Sequence, residues 1–315
     1  MMVICAVLWS TSGVVMKYID WSPFLIGGGR AIFSTTIVGI SVYISGYKLK
    51  VTKKCVCSAA ASFINVVLYI AGNKLTTAAN SIVLQYTAPI FILVITAFVL
   101  KKKLKKIEVS MILLATFGIV LFFMDKLDTN GMVGNILSVL SGLFLAIMMV
   151  LNGIIEDDGE RMTGILLGHG SLALIGTPIG LMLTDSANIT TFPILLVVYL
   201  GVFQMGLSYV IYGRVAGKIS PVAASLISMI EPMLNPVLVA LIYGEVPGFW
   251  AIIGAIIIIL AVVIYTIFDG KEDEENTDKN ITGGNNAAGN DAGGSNADGN
   301  NVVGNNADES GSLNG

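Results

Sequence analysis

Residues 220–245, SPVAASLISMIEPMLNPVLVALIYGE, limit the possible folds more than any other part of the chain. Their apolar run is about long enough to cross a ~30 Å hydrocarbon layer as a helix. Near its middle lie Glu231, Pro232, Asn235 and Pro236. In water, interior prolines break a helix, because each lacks an N–H and its ring clashes with the carbonyl four residues back. Inside a bilayer, packed neighbours satisfy the freed carbonyls again, so the stretch reads as a membrane span distorted at Pro232 and Pro236. Helical spacing places Ser228, Glu231 and Asn235 on one face, which is therefore polar at mid-depth.

An earlier stretch has the same pattern. Laying Pro89 on Pro232 brings residues 77–102, TAANSIVLQYTAPIFILVITAFVLKK, into register, each with a polar residue four before its proline (Gln85, Ser228) and an aliphatic end. The register continues to pair Lys102 with Glu245 and Gly118 with Ala261. Two related halves are expected, 1–130 and 131–268. Apolar segments near 2–19, 24–45, 55–73, 77–100, 107–124, 132–151, 163–183, 193–213, 220–243 and 247–268 give an all-α polytopic membrane protein of ten spans. The N-terminal segment lacks a basic flank and a small-residue cleavage site, so it is expected to be the first span and not a signal peptide.

Composition agrees with a membrane interior. The chain is 55% hydrophobic and 12% charged, with a mean hydropathy of +0.81, outside the usual soluble range. Lysine and arginine cluster after the second span (Lys48, Lys50, Lys53, Lys54), the fourth (Lys101–Lys103, Lys105, Lys106) and the eighth (Arg214, Lys218). By the positive-inside rule both termini are then cytoplasmic. Five spans per half turn the second half upside down, the arrangement of an inverted-repeat transporter. Cys5, Cys55 and Cys57 have neither disulfide-framework nor zinc-ligand spacing, so no metal or cofactor is expected. There is no nucleic-acid signature.

The run GVFQMGLSYVIYGRVAGKISPVAASLISMIEPMLNPVLVALIYGE, together with LWSTSGVVMK and QYTAP, resembles the EamA-type members of the drug/metabolite transporter superfamily. The likeness extends over roughly residues 1–268, and the EP, NP and GE spacing is its most specific part. It implies ten helices in two inverted five-helix repeats that move small organic solutes, without naming the solute.

Glu231 is the leading candidate for function. It lies about 16 Å along its helix, too deep to snorkel to an interface. An ionisable group there costs about 2.5–3.5 kcal/mol to insert, which the surrounding aliphatics offset. It reads either as a substrate or proton site or as hydrogen-bonding glue between helices. Arg30, about 10 Å in from the outer side of the second span, reads either as an interface anchor or as a group that binds an anion or neutralises Glu231. His169, between Gly168 and Gly170, reads as packing or a hydrogen bond before a proton relay. Further polar faces recur at helical spacing: Ser62, Asn65 and Tyr69; Ser81 and Gln85; Gln204 and Ser208. Converging with Trp9, Tyr86 and Tyr209 they would line a solute path, whereas singly each reads as an interhelical hydrogen bond. Gly27–Gly29 reads as close helix packing and not as a phosphate loop.

After Phe268 an acidic run, KEDEENTDK, leads into an Asn/Gly-rich stretch too poor in large apolar side chains to order itself, so residues 269–315 are expected to form a disordered cytoplasmic tail. The functional expectation is a secondary transporter in a bacterial plasma membrane, with a lipid bilayer and a small-molecule substrate as partners and a homodimer as a further expectation. It exports amino acids, related metabolites or small amphipathic compounds by alternating access, with proton coupling. The alternative is a flippase for lipid or polyprenol-linked carriers on the same scaffold. An intramembrane enzyme would need a convergent catalytic set, and one glutamate with one histidine is thin support for that.

Overall fold

A computed structural model describes residues 1–16, 18–124, 127, 130–243 and 248–268. Among them every element of regular structure is helical. In chain order they are α1 (Met2–Ser10), α2 (Ser12–Met16), α3 (Pro23–Ile44), α4 (Lys53–Leu75), α5 (Ala78–Gln85), α6 (Ala88–Val94) with a π-helical end (Ile95–Val99), α7 (Lys106–Phe123), α8 (Met132–Ile154) and α9 (Asp158–Leu183). Then come α10 (Thr191–Tyr199), a π-helical stretch (Leu200–Leu207), α11 (Ser208–Val215), α12 (Pro221–Ser228) and α13 (Ile230–Tyr243), followed by α14 (Phe249–Phe268). The starts follow local chemistry. Side chains of Ser22, Thr52, Thr77, Asp157 and Ser220 each accept the backbone N–H three residues on, and Pro23 and Pro221 occupy the first turn, where no N–H is needed.

Eight segments among the described residues are long and apolar enough to cross a membrane; residues 191–215 run through a π-helical stretch as one helix, and residues 80–99 span the turn at Tyr86–Thr87. Their outward faces carry side chains such as Phe98, Leu174 and Met182, at least 78% exposed, as hydrocarbon-facing residues are. This is an integral polytopic membrane protein.

Several boundaries differ from the sequence expectation. The first span is split at Thr11 into α1 and α2. The seventh starts at Asp158 and not near 163, because the acidic run expected to be loop supplies the cap Asp157 and the first turn. The eighth, diluted by glycine and polar residues, is continuous from 191 to 215. The fourth and ninth spans each consist of two pieces. The proposed tail, the Glu245 pairing and the side chains of Asn235 and Pro236 lie outside the described residues.

Small residues set the helix packing. α3 lies against α9 where Gly28 meets Gly176 and Thr177, and a Cβ on Gly180 would run into the backbone of Leu25. α4 lies against α8 and α9, with Gly168 facing Ser62. Close approach of this kind, with hydrogen bonds between helices, supplies cohesion that the hydrophobic effect cannot supply inside lipid.

At one end of the bundle the α3–α4 loop is tied to the start of α9. Lys50 Nζ donates to Asp157 at 2.8 Å, Thr52 Oγ1 to Glu160 at 2.5 Å and Tyr47 Oη to Asp158 at 3.3 Å. The Lys50 ammonium and the Glu160 N–H hold the Asp157 carboxyl below its ordinary range. Beside them Arg161, only 1% exposed, gives its donors to the carbonyls of Asn152, Ile155 and Gly213 and to Asp158. With four acceptors arranged around it, this charge is buried at little cost and joins α8, α9 and α11.

Candidate functional site

α5 stops at Gln85, four residues before Pro89, and α12 stops at Ser228, four residues before Pro232. That is the carbonyl each proline ring displaces. The chain turns through Tyr86–Thr87 and through Met229, then resumes as α6 and α13. Pro89 and Pro232 thus sit in the first turn of a new half-helix and do not bend a continuous one. Each break faces the bundle interior and leaves polar groups in mid-span.

Between the breaks lies a cavity of about 540 Å³, within the range of small-molecule sites. Its walls include Glu231 and Ser228 beside one break and Gln85 and Tyr86 beside the other, with Arg30, Asn65, Tyr69, Gln204, Tyr209 and Trp9 from the surrounding helices. It extends to Pro23, Asn73 and Lys74, at the end of the bundle where α3 begins and α4 ends. A second hollow of about 590 Å³ lies at the opposite end among Lys48, Lys50, Asp157, Arg161 and Lys218. It is open, and its central charges, Lys50, Asp157 and Arg161, are held by one another or by backbone carbonyls. The mid-span cavity is the better candidate, since its polar groups have no solvent to satisfy them unless the cavity supplies it.

Glu231 and Arg30 sit in the same cavity without forming an ion pair. Glu231 Oε2 accepts from Tyr86 Oη at 2.8 Å. Arg30 reaches Gln204 Oε1 through Nη1 at 3.5 Å, at the limit of a hydrogen bond, while its buried Nε has no partner. Of the readings the sequence offers for Arg30, interface anchor, anion-binding group or neutraliser of Glu231, the structure shows a cavity-wall residue that makes no ion pair with Glu231. Deeper in the wall, Gln85 Nε2 donates to Asn65 Oδ1 at 3.1 Å and to Ser141 Oγ at 2.9 Å, and Ser141 Oγ donates back to Asn65 Oδ1 at 2.7 Å. This closed knot fixes α4, α5 and α8 around the break.

Other candidates stand behind the wall. Ser208 Oγ accepts from Trp9 Nε1 at 2.8 Å and does not line the cavity. His169, 1% exposed, shares a 2.8 Å hydrogen bond with Ser34 through Nδ1 and lies edge-on to Tyr209, with ring centroids 4.5 Å apart. It supports the wall without facing the cavity. Ser62 packs on Gly168 and Ser81 bonds Ser138. The sequence reading missed Asn73, Lys74, Tyr212 and a group of methionines, Met148, Met149 and Met205, on the walls. Asn73 was within reach, because it extends the Asn65, Tyr69 row by one more helical step; the methionines look like any core filler in sequence.

The EamA-like transporter family model matches residues 1–124 and 132–267. An "Uncharacterized transporter" of Clostridium kluyveri is 28% identical over 200 residues, which span 60% of this chain and 63% of that protein's length. A protein of known crystal structure superposes with a TM-score of 0.74 at 16% identity, covering 84% of this chain and 95% of the other. At that identity the likeness shows the fold alone.

Proposed function

Because the chain belongs to the EamA-like transporter family, whose members are transporters and not enzymes, we propose that it is a secondary transporter. It moves small organic solutes across the membrane by alternating access through the cavity at the helix breaks. One observation carries the reading: two helices, one in each half, are interrupted at matching positions on opposite sides of a mid-span polar cavity. Interrupted helices in corresponding positions of two halves are where secondary transporters place their substrate sites.

Ten spans in two inverted five-helix repeats, 1–130 and 131–268, belong to the same proposal. With Pro89 laid on Pro232, Asn65 falls on Ser208 and Tyr69 on Tyr212, and the helix ends Gln85 and Ser228 coincide. The contacts also exchange in pairs: α4 with α8 corresponds to α11 with α1, α4 with α9 to α3 with the π-helical stretch, and α5 and α6 with α8 to α12 and α13 with α1. The division of the family match near residue 130 supports the same boundary.

The direction is export from a bacterial cell, with both termini cytoplasmic and the cavity open to the outer side. The lysine clusters support this orientation. Single cysteines at position 49 and in the Lys101–Lys106 loop are expected to react with a membrane-impermeant thiol reagent only after the membrane is opened, and a cysteine at position 187 in intact cells. Labelling of position 49 in intact cells would reverse the orientation.

Glu231 is the exchangeable group, open in turn to a proton and to a cationic part of the solute. The proposal is tested with purified protein in vesicles, using solutes that raise its melting temperature, since a ligand of the folded state alone does so. Carrier-mediated, saturable uptake of such a solute, chemically unchanged, is expected. Movement of a labelled lipid but of no soluble compound would assign the scaffold to a flippase instead.

A further inference from the structure

We propose that Arg161 is a latch on the end of the bundle opposite the cavity mouth: it holds the start of α9 against the end of α11 while the cavity is open outward, and lets go of α11 alone when that end opens. The inference rests on the transporter reading and on the pairing of halves proposed with it. The cavity opens where α3 begins and α4 ends, at Pro23, Asn73 and Lys74. The matching elements of the other half are α9 and α11, and the register that lays Pro89 on Pro232 lays Asn73 and Lys74 on Ala216 and Gly217. The counterpart of the open mouth is therefore the place where α9 begins and α11 ends. Arg161 fills it. Its Nη1 donates to the Gly213 carbonyl on α11 at 2.9 Å, and a Cβ on Gly217 would run into its guanidinium.

The two ends differ as a closed and an open gate would. Among the described residues α9 packs on α11 and α12 on α8, whereas the matching pairs, α3 with α4 and α1 with α5, have no comparable contact. Along the closed seam a Cβ on Gly153 would meet Pro221 and one on Gly213 would meet Met162, so the helices approach there with no side chain to spare. The donors of Arg161 are divided unequally across that seam. Nε bonds the Asn152 carbonyl at 2.8 Å, Nη2 the Ile155 carbonyl and Nη1 the Asp158 carboxylate at 2.5 Å. These three acceptors all belong to the α8–α9 hairpin; of the four, only the Gly213 carbonyl lies beyond the seam. When α11 moves away, one hydrogen bond breaks and the guanidinium keeps its countercharge and two carbonyls. The gate can thus open without leaving a buried charge bare. The Lys50–Asp157 pair, by contrast, ties α9 to the α3–α4 loop and does not cross the seam; both side chains are half exposed, so it contributes little.

The test is the distance between spin labels on paired cysteines in the reconstituted full chain, with the exposed Cys57 first replaced by serine. Glu156→Cys with Lys218→Cys spans the latch, and Asp20→Cys with Leu75→Cys spans the outer mouth; all four positions are exposed. Arg161→Gln is expected to raise the ratio of open to closed latch distances roughly ten- to a hundredfold, the usual worth of one hydrogen bond to a charged group. The outer pair should shorten in the same sample, since one equilibrium governs both ends. Gly217→Ala keeps the guanidinium and its charge but pushes it off α11, so it should shift both pairs in the same senses, and it decides the matter if Arg161→Gln fails to fold. Lys50→Ala should shift neither pair. Unmoved distances in both latch variants, broadening of both pairs together, or failure of both variants to fold would make Arg161 a fixed brace and overturn the inference while leaving the transporter reading in place. Opening of the latch pair with the outer pair unmoved would keep the latch and sink alternating access instead.

Discussion

Glu231→Gln is expected to fold and insert normally and to lower transport by at least about thirtyfold, or to leave residual transport that no longer responds to a proton gradient. Glutamine retains an oxygen to accept from Tyr86 Oη, so the contact at 2.8 Å between the two broken helices can persist. What it loses is the charge. Glu231 is proposed to pair with a cationic part of the solute, and removing one partner of such a buried, hydrogen-bonded charge pair costs roughly 2–5 kcal/mol, which sets the size of the expected loss. Glu231→Ala should do worse, because it also strips the acceptor from the Tyr86 hydroxyl and leaves it open in a buried place. Initial rates in reconstituted vesicles across a range of imposed pH gradients distinguish the outcomes. Parental rate and parental pH response in the Gln variant would make Glu231 an interhelical bond and nothing more.

The second large effect is structural. Gly180 and Gly170 lie on the same helix, α9, with opposite surroundings. A Cβ at position 180 would enter the backbone of Leu25 on α3 and come within 2.7 Å of Leu25 Cβ, whereas at position 170 the nearest atom, Thr35 Cγ2, is 4.0 Å away. Gly170→Ala should therefore be neutral or slightly stabilising, since alanine is the better helix former. Gly180→Ala should cost about 1–3 kcal/mol by overpacking, and Gly180→Leu should prevent assembly. Apparent melting midpoints in detergent, at roughly 2–4 °C per kcal/mol for a chain of this size, can resolve the pair. Equal midpoints for the two alanine variants would mean that the α3–α9 seam is looser than its geometry indicates.

Those two residues also indicate where sequence reasoning stops. That the glycines of span two serve packing was legible; that Gly180 in span seven opposes Leu25 while Gly170 opposes almost nothing depends on which helix lies alongside. The breaks were half legible. Pro89 and Pro232 marked the right spans, but the interruptions fall at Tyr86–Thr87 and Met229, because a proline acts on the carbonyl four residues before it. Asp157 with Glu160 three residues on carried a helix-start signal, yet the density of charge there read as loop, and Arg161 went unremarked with it. Arg30 was visible as a charge in a span. Its freedom from Glu231 was not, because two residues so far apart in sequence reveal neither contact nor separation until the helices are packed.

Alternating access is the central claim, and paired accessibility measures it most directly. Asn73 lines the open end of the cavity. Ser225 lies on the same face of its helix as Ser228, one turn further from the opening, and is 1% exposed. In vesicles of defined orientation, Asn73→Cys should react rapidly from the outer side. Ser225→Cys should react slowly and only from the cytoplasmic side. A solute supplied so as to draw the carrier inward-facing should slow the first and speed the second together, since one equilibrium governs both. If Asn73→Cys reacts at the same rate under every gradient and Ser225→Cys never reacts, the cavity is a fixed pocket and the account is wrong.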